Sequence, residues 1–375
     1  MANDKDFVVN GPVIVGKDTK VTVGTITASA IDLATGNYFD DTLAANTTYT
    51  ISNAGAVQAF QLEVTGGAVG YDISGGVYDS VSFSVSAQNS GPQDIAFKSD
   101  GTKIYILGKT GDSIYEYNLS TAWDISTSTY SQSFSVSSQD TQPTGIFFKP
   151  DGTKVYIVGE TSDNAYEYDL STAWDISTAS LNNTLSVSAQ NTAPSAIHFK
   201  PDGLKMYIAG FVDDEVNEYD LSTAWDISTA SFTQVFSLAS QDNTIYSFFF
   251  KSDGTKMYAV GNQYDKVYEY ALTTAWDIST ASFTQDFYVG SQETTPTGIF
   301  FKPDGTKMYI VGFNTDAIYQ YSTSATATLT WPTSIGWAGG IAPAAPANAE
   351  TDVFTFTTDD TGTSYTGVKS IDNAS

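Results

Sequence analysis

The chain has no cysteine, no arginine and one histidine, and its 16 basic residues, all lysines, face 42 aspartates and glutamates for a net charge of −26. Each scarcity excludes something. Without cysteine there are no disulfides, no thiolate nucleophile and no cysteine metal site. Without the planar guanidinium fork, and with so acidic a balance, nucleic-acid binding is not expected. A Ser/His/Asp triad would have to be built around His198, whose place in the sequence reads as the interior of a strand. The opening MANDKDFVVN is charged and no long apolar run follows, so the sequence predicts neither a signal peptide nor membrane insertion. What remains is 375 residues with 41% hydrophobic and 14% aromatic content, ample for a sizeable core.

Most of that content lies in repeats. FKPDGTKVYIVGETSDNAYEYDLSTAWDISTAS is almost restated as FKPDGLKMYIAGFVDDEVNEYDLSTAWDISTAS, and the copies align without gaps. Asp100, Asp151, Asp202, Asp253 and Asp304 share one step, as do Tyr105, Tyr156, Tyr207, Tyr258 and Tyr309. Trp123, Trp174, Trp225 and Trp276 follow the same step, but the fifth equivalent position is Ala327. Each copy reads as four strands. The first three are apolar on both parities, as for sheets covered on both faces, and the fourth alternates, as for an outer strand with one wet face. Fourth-strand text starts near Val81, ahead of the first repeat, and is missing after the last. The fold class expected is therefore all-β: a five-bladed β-propeller of 51-residue repeats, closed by the strand near Val81. Strand-and-turn text of different composition flanks it on both sides, with Gly-rich YDISGGVYD and Ser/Thr-rich STSATAT as joints. The expected organisation is an N-terminal arm over 1–27, the first half of a small β-sandwich-like domain over 28–77, the inserted propeller over 78–322, and the second half over 323–375.

The copies differ on one side only. The connections KPDGTK and STAWDISTAS repeat almost word for word, and their tryptophans read as packing rather than as sugar platforms. The loops before the first strand and between the second and third differ in every copy, and they carry aromatics that drifting loops usually avoid. The candidate ligand-binding residues are Phe211, Tyr246, Tyr264 and Phe313 for stacking, with Gln263, Asp214 and Asp265 for hydrogen bonds. Asp112, Asp163, Asp214, Asp265 and Asp316 stand at one position of the five copies. They read either as a carboxylate ring suited to calcium or as five turn formers, and no other cofactor is expected. His198 stands where other copies have Ala96, Phe147, Phe249 and Phe300, and reads as a core substitution.

The flanking text DLATGNYFDDTLAANTTYTISN…FQLEVTGG, with LTWPTSIGWAGGIAPAAPANAETDVFTFTTDDTGTSYTGV, resembles a β-module of tail-fibre and other virion proteins of tailed phages, marine ones especially. MANDKDFVVNG resembles the start of cyanophage-type fibre proteins, and the repeats are similar to PDG-type propellers of bacterial surface and periplasmic proteins. The resemblance implies a virion structural protein, a tail-fibre or tail-appendage component made in the host cytoplasm. Its partners would be other virion proteins and a host-surface glycan or protein, and its fibre form would be a homotrimer, although no heptads support a coiled coil. On this reading the chain is not an enzyme. Two alternatives stand beside it: a structural adaptor or capsid-surface decoration protein without ligand binding, and a carbohydrate-active hydrolase drawing on the acids particular to single copies, chiefly Asp94, Glu160, Asp213 and Glu215.

Overall fold

The computed structural model describes residues 26–27, 29–34, 38–43, 47–52, 59–65, 68–323, 325–326, 329–338, 340–346, 350–357 and 364–371. Apart from Ile26 and Thr27, the expected N-terminal arm lies outside them, as does Ala327. The chain divides into two compact units, Met1–Val69 with Thr326–Ser375, and Gly70–Ala325.

The larger unit is a five-bladed β-propeller. Its first blade pairs Pro92–Phe97, Lys103–Gly108, Ser113–Leu119 and Ser128–Ser135 as consecutive antiparallel neighbours, and three further blades repeat that order up to Tyr288. The fifth blade orders Pro296–Phe301, Lys307–Gly312, Ala317–Ser322 and then Val77–Ser84 from the start of the unit. There Ile318 pairs with Phe83 and Gln320 with Val81. The inner strands form a closed ring, the fifth lying beside the first.

Burial follows from the sequence pattern. Pro92–Phe97 is buried along its whole length, whereas the exposure of Ser128–Ser135 alternates. The apolar cores lie between adjacent blades, as where Tyr207 and Val216 of one blade meet Phe250, Tyr270 and Trp276 of the next. Seams between blades are also hydrogen-bonded. Tyr105, Tyr156 and Tyr207 donate their hydroxyls to the carbonyls of Trp174, Trp225 and Trp276 at 2.6, 2.7 and 2.6 Å, and Tyr309 donates to Trp123 at 2.7 Å.

The fifth seam corrects the reading of YDISGGVYD as a joint. Tyr258 donates to the carbonyl of Tyr71 at 2.6 Å, so Tyr71 occupies the tryptophan position. The correspondence is detailed. Tyr71 has φ +64 beside +65 to +67 for the four tryptophans. Its ring lies over Gly305, where a Cβ would come within 2.0 Å, much as Trp123 lies over Gly101. Asp72 accepts from the Ser74 amide at 2.9 Å, as Asp124 does from Ser126 at 3.0 Å. YDIS is thus a fifth WDIS, and it lies within the compact unit Gly70–Ala325 that holds the propeller. Blade five also relocates a carboxylate. Where Lys103 meets Glu116 at 2.7 Å, Lys307 meets Asp79 at 2.6 Å, and Gln320 takes the glutamate's place.

The smaller unit holds a five-stranded sheet ordered Tyr38–Thr42, Ala59–Thr65, Thr351–Thr357, Tyr365–Ile371 and Ile335–Trp337. Both chain segments supply its core, with the Phe60 and Phe356 rings stacked 4.6 Å apart among Leu62, Val64 and Phe354.

Candidate functional site: the channel mouth

Two positions of the repeat build a cavity of about 200 Å³ at one end of the propeller channel. One is the second residue of the inner strand, which supplies Gln93, Thr144, Ser195 and Tyr246. The other is the residue after the glycine that ends the second strand, which supplies Lys109, Glu160, Phe211 and Phe313. Ala193, Pro194 and Thr295 complete the lining. Strand ends fix the first set and tight hairpins the second, so rigid elements carry both.

An aromatic pair and an ion pair line the cavity. Phe211 and Tyr246 bring their ring centroids to 5.0 Å at 45°. The Lys109 ammonium lies 3.1 Å from the Glu160 carboxylate, bridging two blades, and both side chains are about one-third exposed. Burial, followed by the charge of Glu160, raises the Tyr246 phenol above its ordinary pKa, so it remains an O–H donor at neutral pH. Thr144 spends its hydroxyl on the carbonyl of Pro194 at 2.6 Å. Gln93 makes only long contacts, at 3.4 Å, to the carbonyls of Gly91 and Pro92.

Below the mouth the inner strands crowd together. At the next step stand Asp94, Gly145, Ala196, Ser247 and Gly298. A Cβ on Gly145 would lie 2.6 Å from the Ala196 Cα, and one on Gly298 2.9 Å from the Asp94 Cα. Asp94 is 4% exposed, and it accepts from the Ile146 amide at 3.0 Å and from the Ser247 hydroxyl at 3.3 Å. Desolvation pushes its carboxyl up to about 7. Beyond it a cavity of about 70 Å³ is lined mainly by apolar groups, with Phe147, His198, Phe249 and Phe300 among them. Burial lowers His198 to about 3, and its Nδ1 has no hydrogen-bond partner.

Of the seven candidate ligand residues, Phe211, Tyr246 and Phe313 come together at the cavity. The other four lie elsewhere. Tyr264 is 52% exposed outside the lining, and Gln263 accepts from the Asn243 amide at 3.2 Å within its own face. Asp214 and Asp265 adopt φ of +51 and +54 in hairpin turns, where their carbonyls accept from Leu238 and Val289. Asp112, Asp163 and Asp316 take the same turn geometry at +46, +52 and +50, with carbonyls accepting from Val136, Val187 and Val85. All five thus share the geometry of the turn-former reading, and among the described residues no group of three or more His, Asp or Glu side chains is placed to hold a metal ion. Of the single-copy acids, Glu160 lines the mouth, Asp94 is sealed below it, Asp213 is exposed and Glu215 is partly buried. Sequence reasoning missed Lys109 and Gln93. The signal was available, since the position after each second-strand glycine reads Lys, Glu, Phe, Asn and Phe through the five copies.

Comparison with known proteins supplies a family for the chain. No curated protein sequence matches the chain. Among solved structures, a Lactobacillus plantarum protein is 17% identical with a TM-score of 0.40, covering 62% of this chain and 67% of that one. A Bacteroides uniformis protein provisionally named a 6-phosphogluconolactonase is 13% identical with a TM-score of 0.41, over the same shares. The hydrazine synthase of Kuenenia stuttgartiensis is 15% identical with a TM-score of 0.39, covering 79% and 70%. Likeness at that level carries nothing about activity. The family model described as "Lactonase, 7-bladed beta-propeller" matches residues 33–275. That match overturns the phage tail-fibre resemblance and, with it, the virion location, the receptor-binding structural role and the expectation that the chain is not an enzyme. The flanking text that suggested a fibre module is written in the turn and strand residues of any small β-sheet, and the family match begins within it. The blade number departs from the family's description, five closing here where seven are named. By the match over residues 33–275, the chain belongs to the β-propeller lactonase family.

Proposed function

We propose that the chain hydrolyses a lactone at the channel mouth. The observation that carries this is the Lys109–Glu160 pair at 3.1 Å, lining the same cavity as the Phe211–Tyr246 ring pair in a family member. Ring opening of a lactone needs a base to take a proton from water, a positive or hydrogen-bonding group for the carbonyl oxygen as it becomes an oxyanion, and a proton for the departing ring oxygen. In this reading Glu160 accepts the proton as the water oxygen bonds to the carbonyl carbon. Lys109 and the Tyr246 hydroxyl face the oxyanion. The ring C–O bond then breaks, Glu160 returns the proton to the alkoxide, and a hydroxy acid leaves. Phe211 and Phe313 supply the flat apolar surface that a sugar ring presents its C–H bonds to.

The test is a pH-stat screen of the whole chain against cyclic esters and open-chain esters of similar size. Catalysed opening of sugar lactones, with open-chain esters untouched, is the expected result; no catalysis of any lactone contradicts the proposal.

A further inference from the structure

Resting on that reading, we infer that the lactone is uncharged, carrying neither phosphate nor a free carboxylate. Lys109 is the one cationic side chain lining the cavity, and its ammonium is already matched by Glu160 at 3.1 Å. Among the loops of that face the other lysine is Lys266, which Asp286 holds at 3.0 Å. The rest of the face is acidic. FVDDE brings Asp213, Asp214 and Glu215 beside Phe211, and Asp140, Asp242 and Glu293 are buried beneath the neighbouring hairpins.

A phosphorylated ligand brings up to two negative charges. Proteins usually meet these with arginine forks, an unpaired lysine or a row of backbone amides. This chain has no arginine, its cavity lysine is paired, and the field of its −26 net charge opposes an anion. The polar groups that do line the cavity suit hydroxyls instead. Gln93 donates at 3.4 Å to the carbonyls of Gly91 and Pro92, and Ser195 at 3.4 Å to the carbonyl of Ile245, long bonds that the hydroxyls of a neutral polyol can replace. The volume of about 200 Å³ lies below the ~300–1,000 Å³ usual for drug-sized ligands, which limits the occupant to one small ring.

The experiment compares glucono-δ-lactone with its phosphorylated form as substrates of the intact chain, and glucose with glucose phosphate as ligands in calorimetry. The neutral lactone should be favoured in kcat/KM by at least about tenfold, with the same order in binding, because the phosphate meets no unpaired cation. Glu160→Gln should reverse the binding order by freeing the Lys109 charge, which a merely steric exclusion of phosphate would not do. Equal or better turnover of the phosphorylated lactone overturns the inference. Should neither lactone be opened, the lactonase reading fails by itself, and binding then decides the charge preference. Tighter binding of glucose phosphate, or binding of neither sugar, overturns it.

Discussion

The Tyr258 hydroxyl donates to the backbone carbonyl of Tyr71 at 2.6 Å, joining blade four to a residue that precedes the first repeat. That bond repeats the tyrosine-to-tryptophan seams of the other blades, and it makes ring closure depend on the segment from Tyr71 to Ser84.

Removing the Tyr71 ring should open the fifth seam. The ring is 5% exposed and packs 5.4 Å from Phe301, with the Lys251 ammonium 5.8 Å from its centroid. Tyr71→Ala should cost about 3–5 kcal/mol, a fall in Tm of roughly 10 °C. Tyr71→Trp should stay near the wild type, because four blades carry tryptophan in that geometry. Gly305→Ala should behave like the alanine variant, since φ there is +69 and the added carbon meets the Tyr71 ring. Calorimetric melting of the four proteins checks all three outcomes.

His198 makes the fold acid-labile. Its folded pKa, about 3, lies below the ordinary value of 6.5, so between those values the unfolded chain binds a proton that the folded chain does not. Stability from this group is present above the unfolded pKa and is lost as pH falls from about 6.5 towards 3. His198→Phe copies Phe147, Phe249 and Phe300 and removes the unpartnered Nδ1. It should raise Tm slightly at pH 7, and the gap should widen steadily down to pH 4. A constant gap would show that burial of the imidazole has been misjudged.

Asp94 acts in the opposite direction. Its folded pKa of about 7 exceeds the ordinary 3.8, so the folded state holds the extra proton, and stability falls as pH rises through that window. The full shift corresponds to roughly 4 kcal/mol at pH above 7. Asp94→Asn should therefore melt higher than the wild type at pH 8, by several degrees, with the difference disappearing near pH 4. An asparagine variant that melts lower at pH 8 would mean that the ionised carboxylate is stabilised by its Ile146 and Ser247 contacts.

Much of the propeller was legible because every copy repeats the same burial pattern, and one register of Tyr105, Tyr156, Tyr207, Tyr258 and Tyr309 admits one ring. The fifth tryptophan position was not legible. Tyr71 is offset by a residue from the repeat step, and the extra residue is absorbed opposite Tyr321, where Asp79 and Ser80 are both skipped and Ser80 takes φ +59. At the mouth, divergent aromatics identified Phe211, Tyr246 and Phe313, since apolar rings in loops need a reason to be there. The same criterion chose Tyr264, which the hairpin turns outward. Lys109 escaped notice because a lone lysine in a varied loop looks like solvation; only its reach to Glu160 in the next blade gives it a role. Activity was misread because flanking strand-and-turn text says little about chemistry, while the family match runs over residues 33–275.

The most direct measurement is the initial rate of glucono-δ-lactone opening above the spontaneous rate, taken for the wild type and Glu160→Gln alongside the melting temperature of each. Catalysis at Glu160 predicts a rate falling by about a hundredfold or more in the variant, with Tm essentially unchanged because the carboxylate is partly exposed at the mouth. A wild type that does not exceed the spontaneous rate, or a variant as fast as the wild type, would contradict it.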